Sequence, residues 1–127
     1  MNEQRPSFER REDTPVSDEQ VIESLRNKGK DDPESIKLLE RWAKELESGL
    51  DVVYESEGNE SFAIAGVRCA MRRAIVYYKA GYVGEAIADL TETKDAAGSE
   101  IFRNSGLYEQ ASVLLDKMKT GKTVESS

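Results

Sequence analysis

The sequence predicts an all-α protein built from five or six helices that pair as antiparallel hairpins. Apolar residues recur at intervals of three and four along most of the chain, which is the period of an amphipathic helix. Capping side chains precede these stretches and glycines follow them, as expected at helix starts and ends. Only the run 52–54 favours a strand, and it has no second strand to pair with. Because the connections are short, neighbouring helices are expected to lie antiparallel.

The first two helices have the clearest start signals. Ser17 and Gln20 form a capping box, in which each side chain bonds the other residue's backbone N–H. The helix that follows is expected to end at Gly29. Asp32 and Pro33 give the second helix an N-cap and a proline at its first helical position. Both helix starts are therefore predicted from local chemistry alone.

The second helix carries the most regular apolar stripe in the chain. Trp42 flanks this stripe, and Gly49 is the expected end of the helix. Residues 50–58 are then expected to form a loop or a fraying helical turn. The stripe consists of residues spaced by three and four, which places them on one face: Ile36, Leu39, Ala43, Leu46 and Leu50.

The second half of the chain predicts three further helices. A long third helix should begin at Asn59 or Ser61, which can cap it, and run to about Ala80. Its wide apolar surface indicates a central position, touched on more than one side. A fourth helix is expected at about 83–97 and a final one at 107–119, with room for two turns between them.

Composition limits the domain organisation and the class of function. Residues 1–16 are rich in charge and proline and are expected to be a disordered arm, residues 17–120 one helical domain, and residues 121–127 a flexible tail. The net charge of −7 argues against binding to nucleic acid. With no histidine and a single cysteine, the chain lacks the usual general base and the usual zinc ligands. We therefore expect no catalytic residues, no metal and no cofactor.

Location follows from similar considerations. No stretch approaches the roughly 20 apolar residues of a membrane span, and the first residues lack the apolar core of a secretory signal. The expectation is a cytoplasmic protein that does not bind membranes.

A group of cations on the third helix is the main candidate for a binding site. Arg68 and Arg72 are four residues apart and share a face, and Arg73 lies beside them. One interpretation is that these cations face solvent or pair with acids of the second helix: Glu40, Glu45 and Glu47. The other is a cationic groove for an acidic peptide segment or a chain-terminal carboxylate, which arginine binds through paired hydrogen bonds.

The stretch YYKAGYVGEAI, at 77–87, carries a family resemblance. Tyr77, Gly81, Ala86 and Leu90 resemble the helix–turn–helix elbow of the tetratricopeptide repeat, over about 25 residues at 70–97. A partial echo at 106–118 repeats the glycine, aromatic, alanine and large apolar offsets with Gly106, Tyr108, Ala111 and Leu115. The two glycines stand 25 residues apart, whereas the repeat has a period of 34. The fold is thus expected to be either a repeat-like stack of hairpins or an irregular helical bundle.

The resemblance implies a function as well as a fold. It implies a scaffold that binds a peptide or a partner protein on a face lined by first-helix residues. The candidate contacts are Arg68, Arg72, Arg73 and Tyr77, while Gly81, Ala86, Gly106 and Ala111 form the structural corners. Two alternatives stay open: a homodimeric structural bundle, and a small acidic regulatory protein that acts on a basic partner.

Overall fold

The computed structural model describes residues 15–124 and confirms the all-α class within them. No strand occurs in this part of the chain. A single turn of 3-10 helix at Glu100–Phe102 lies between the last two helices. The predictions for residues 1–14 and 125–127 lie outside the described residues. The five helices are α1 (Asp18–Lys28), α2 (Pro33–Glu57), α3 (Asn59–Lys79), α4 (Val83–Ala97) and α5 (Leu107–Lys119).

The predicted starts of α1 and α2 are confirmed. The N–H of Gln20 donates to Ser17 Oγ at 3.2 Å, and the N–H of Ser17 donates to Gln20 Oε1 at 2.8 Å, which completes the capping box. At α2 the side chain of Asp32 accepts from the N–H of Glu34 at 2.9 Å. Pro33 occupies the first helical position, where its missing N–H costs no helical hydrogen bond.

The predicted end of α2 is wrong. The helix passes through Gly49 and continues to Glu57, so residues 50–57 form two regular helical turns rather than a loop or a fraying turn. Gly58, with φ +95°, ends α2 and also precedes α3, which starts without a side-chain cap. A tertiary contact explains the extension, because Tyr54 packs edge-on against Phe62 of α3 at a ring separation of 5.5 Å.

The buried face of α2 is rotated from the predicted stripe. Trp42, expected at its flank, is only 2% exposed and lies at its centre, beside the buried Ser35. Ile36, by contrast, is 42% exposed and Ala43 faces solvent. The rotation has a polar cause, since the Trp42 indole N–H donates to Asp18 of α1 at 3.2 Å.

Side-chain contacts fix the direction of α1 against its neighbours. The Val16 N–H donates to Glu45 at 2.8 Å, and Ser24 bonds Ser35 at 2.8 Å. Because the numbering rises along α1 while it falls along α2, the two helices are antiparallel.

Towards α3 the order is the opposite. Asp18 meets Arg72, and Arg26 donates to the carbonyl oxygen of Lys79 at 2.7 Å. Both numbers rise together, so α1 and α3 are parallel.

The same relation holds between α3 and α5. The Tyr78 hydroxyl donates to the carbonyl oxygen of Lys122 at 2.8 Å. At the other end, Glu60 of α3 and Ser105 before α5 line one groove. The helices α1, α3 and α5 therefore run in one direction, while α2 and α4 return between them.

Two apolar cores lie on different sides of α3. One joins α3, α4 and α5 around Leu90, Leu107 and Met118, and the other joins α1, α2 and the end of α3 around Leu25 and Trp42. Since α3 packs against all four other helices, its predicted central position is confirmed.

The ordered domain extends past the predicted limits at both ends. Val16, assigned to the arm, is 5% exposed and belongs to the core around Trp42. Val124, assigned to the tail, is 2% exposed and belongs to the core around Leu90.

Candidate functional site

The corner after α3 is a glycine-capped helix end. Gly81 has φ +101°, a conformation that favours glycine. The Gly81 N–H donates to the backbone carbonyl oxygen of Tyr78 at 3.1 Å, and the Tyr82 N–H donates to that of Tyr77 at 2.9 Å. These are the two hydrogen bonds of a Schellman motif. The rings of Tyr77 and Tyr82 pack edge to face at 6.3 Å. Ala86, fully buried five residues after the glycine, completes the corner.

Tyr82 also ties this corner to the turn between α1 and α2. Its hydroxyl accepts the N–H of Lys30 at 3.0 Å. The Lys30 ammonium lies 5.7 Å from the centre of the Tyr82 ring and pairs with Glu85. The two turns at this end of the molecule are thus linked.

The second predicted corner has a different place in the fold. Gly106, with φ +76°, precedes α5 rather than ending a helix, although Ala111 is fully buried as expected. The geometric counterpart of Gly81 is Gly121. It has φ +74°, and the Lys122 N–H beyond it donates to Lys117 at 2.8 Å.

The predicted cation Arg72 is bound within the fold. Its Nε lies 2.9 and 3.0 Å from the two oxygens of Asp18, which also accepts from Trp42. This hydrogen bond raises the pKa of Arg72 above its usual value. The acid therefore comes from α1, not from the predicted acids of α2, and Asp18 links α1 to both α2 and α3.

The four predicted contacts do not share one surface. Arg68 and Tyr77 are nine residues apart, and at about 100° per residue this places them on opposite sides of α3. Arg68 is exposed on the side of Arg72 and makes no ion pair within residues 15–124. Arg73 and Tyr77 lie on the other side.

On that other side, an open groove runs between α3 and α4, with a volume of about 360 Å³. Its floor is formed largely by small residues of α3. On the α4 side, the Thr93 hydroxyl donates to the backbone carbonyl oxygen of Asp89 at 2.9 Å, within its own helix. We call this surface the α3–α4 groove. It is lined by Ala63, Gly66, Val67, Ala70 and Arg73 of α3 and by Asp89, Glu92, Thr93 and Ala96 of α4.

Aromatic side chains extend the α3–α4 groove along α3. Phe62, Gly66, Ala70, Arg73 and Tyr77 follow one another at spacings of 4, 4, 3 and 4, so they lie on one helix face. Phe62 is 37% exposed, and Tyr54 of α2, which packs against it, is 52% exposed. The sequence prediction missed this pair because residues 50–58 are expected to form a loop or a fraying helical turn; the spacing from Phe62 to Gly66 was the available signal.

The described residues hold neither a cluster of metal-binding side chains nor a helix long and apolar enough to cross a membrane. No group of three or more Cys, Asp or Glu in residues 15–124 is placed to hold a metal ion. Every buried side-chain nitrogen or oxygen in this range has a hydrogen-bond partner. The helices of the same range were too polar or too short for a bilayer span.

Comparison with known proteins gives no relative. No protein-family model, no curated protein and no solved structure matches the chain. Function must therefore be inferred from the geometry of the chain itself.

Two ionisable groups on α3, the Cys69 thiol and the Tyr77 hydroxyl, are expected to make the protein less stable at alkaline pH. Burial raises the pKa of the Cys69 thiol above 9.0, against the opposing charges of Arg72 and Arg73. Burial, with Glu85 nearby, raises the pKa of the Tyr77 hydroxyl above 10.0. Both neutral forms are favoured in the folded state, so their contribution is complete below about pH 9 and is lost as the pH rises through the folded-state values.

We therefore expect the urea midpoint to fall as the pH rises above about 9. The double variant Cys69→Ala, Tyr77→Phe should lose less stability over the same range. An equally steep fall in that variant would contradict the assignment to these two groups.

Proposed function

We propose that this protein is a non-enzymatic protein–protein interaction module and that the α3–α4 groove binds a helical segment of a partner protein. The observation that carries the proposal is an open groove with a floor of small residues and exposed aromatic rings at one end. Small floor residues allow the backbone of a second helix to approach closely. Exposed aromatic side chains are enriched at the energetic centres of protein interfaces.

The alternating helix directions support the resemblance to the tetratricopeptide repeat as part of this proposal. Such a stack places parallel first helices side by side, with second helices returning behind them. The substantial helix contacts pair α1 with α2 and α3, α3 with α2, α4 and α5, and α5 with α4. Each later first helix thus packs against both helices of the preceding hairpin.

The acidic partner expected from the sequence has weaker support in this arrangement. Arg72 is already bound to Asp18, and Arg73 shares its groove with Asp89 and Glu92. Of the three predicted arginines, Arg68 is the one that is exposed and has neither an ion pair nor an acid of the groove beside it within residues 15–124. An acidic ligand therefore stays a prediction for that side of α3.

A steric block of the groove floor tests the proposed function. A Cβ placed at Gly66 meets nothing within 4 Å, so the position has open space in front of it. Gly66→Leu therefore puts an apolar side chain into the groove and replaces a poor helix former. Peptides selected from a displayed library against the natural chain are expected to bind the Gly66→Leu variant at least about tenfold more weakly.

Gly49→Leu is the matched control, because Gly49 is also an interior helical glycine with no neighbour within 4 Å and lies outside the groove. Its affinities should stay unchanged, and circular dichroism should show both variants folded. Selected peptides that bind both variants equally would contradict the groove as the binding site.

A further inference from the structure

We infer that the partner of the α3–α4 groove is an amphipathic helix whose apolar face is flanked by lysine or arginine residues. The inference rests on the proposed function and adds the chemistry of the ligand. It follows from the charges on the two borders of the groove and from the size of the residues between them.

The α4 border of the groove is acidic. Asp89 and Glu92 both line it, and Arg73 across the groove supplies a single positive charge. The nearby Lys94 is not part of the groove lining: its ammonium points to α5 and lies over the ring of Tyr108, 5.5 Å from the centre. A ligand whose flank faces α4 therefore meets a net negative border.

The aromatic end of the groove is more acidic still. Residues 45–67 contain six acids and no lysine or arginine. Glu45 accepts the N–H of Val16, while the ion pairs within residues 15–124 involve none of the other five. The exposed rings of Tyr54 and Phe62 thus belong to a stretch of the chain in which every charged side chain is acidic. The six acids are Glu45, Glu47, Asp51, Glu55, Glu57 and Glu60.

Between these borders the surface is apolar and shallow. Ala63, Gly66 and Ala70 are half-buried and leave room for side chains of the ligand. From Phe62 to Tyr77 the groove face covers sixteen residues of α3, which is a rise of roughly 22 Å. A helix of about four turns with one apolar face matches that length.

The same charges argue against other occupants. A second copy would bring its own carboxylates, since the chain has a net charge of −7, and like charges across an interface are unfavourable. Phosphate-rich ligands meet the same repulsion. A basic amphipathic helix is the occupant that both the charge and the shape favour.

Two synthetic peptides of about fifteen residues test the inference. Both carry leucine and alanine on one helical face, and the flanks are lysine in one peptide and glutamate in the other. In fluorescence anisotropy at low salt, the lysine peptide should bind the natural chain at least about tenfold more tightly than the glutamate peptide. Its binding should weaken with added salt. The double variant Asp89→Lys, Glu92→Lys should reverse the preference, and Gly66→Leu should abolish binding of either peptide.

The possible results separate the inference from the proposed function. Equal binding of the two peptides, or a stronger glutamate peptide, with both blocked by Gly66→Leu, overturns the inferred chemistry and leaves the groove as a binding site. Binding of the lysine peptide that Gly66→Leu does not weaken, or no binding of either peptide, overturns both. Self-association of the natural chain in sedimentation, abolished by Gly66→Leu, would assign the groove to a second copy and also overturns the inference.

Discussion

Replacing Trp42 with alanine is expected to lower the free energy of unfolding by about 3–5 kcal/mol. Trp42 is 2% exposed at the centre of the core between α1, α2 and α3, and the variant removes both its packing and its hydrogen bond to Asp18. A loss of this size is a large fraction of the total stability of a domain of this length. Urea unfolding followed by far-ultraviolet circular dichroism measures this loss, because the variant has no tryptophan left for fluorescence.

Ile36→Ala is the matched control on the same helix. Ile36 belongs to the stripe predicted from the sequence but is 42% exposed, so its truncation should cost less than about 1 kcal/mol. A comparable loss in the two variants would mean that the buried face of α2 is the predicted stripe, not the face centred on Trp42.

Asp18→Ala is expected to lower the free energy of unfolding by about 2–3 kcal/mol. The carboxylate accepts hydrogen bonds from Trp42 of α2 and Arg72 of α3, and its side chain is only 13% exposed. Without it the buried indole N–H has no acceptor, whereas the half-exposed Arg72 can return to water. Urea unfolding monitored by Trp42 fluorescence measures the loss.

Two controls separate the hydrogen bonds from the helix position. Asp18→Asn keeps an acceptor for Trp42 and should recover part of the loss. Glu19→Ala removes an acid from the same first turn of α1, where the contribution of the helix dipole is about 0.3–1 kcal/mol. If Glu19→Ala is as destabilising as Asp18→Ala, the contacts to α2 and α3 are not the cause.

The features that the sequence predicted well depend on a few neighbouring residues. The capping box at Ser17, the cap at Asp32 with Pro33, and the glycine end at Gly81 are each determined by side chains within one turn. The apolar period likewise predicts that a helix exists, and so the all-α class could be predicted from the sequence.

The features that it predicted wrongly depend on distant residues. Gly49 is a residue type that often ends helices, but it stays helical because Tyr54, further along α2, packs against Phe62 of α3. Arg72 finds an acid on α1, 54 positions away in the sequence. The candidate site was partly accessible to sequence reasoning for the same reason. Arg73 and Tyr77 were named, and the nine-residue spacing from Arg68 to Tyr77 already separates these two on a helix. The aromatic end of the groove, by contrast, depends on how α2 packs against α3.

The last turns of α2, which extend past its contact with α1, are expected to be less stable than the rest of the domain. The last turns of α2 are largely exposed and contact α3 through the Tyr54–Phe62 ring pair, while none of their residues belongs to either core. Segments with little buried area open at a lower free energy than the whole domain. A ligand bound against Tyr54 and Phe62 would therefore suppress local opening at the end of α2 and slow amide hydrogen exchange there. Exchange around Trp42 and Leu90 would stay at the rate set by global unfolding.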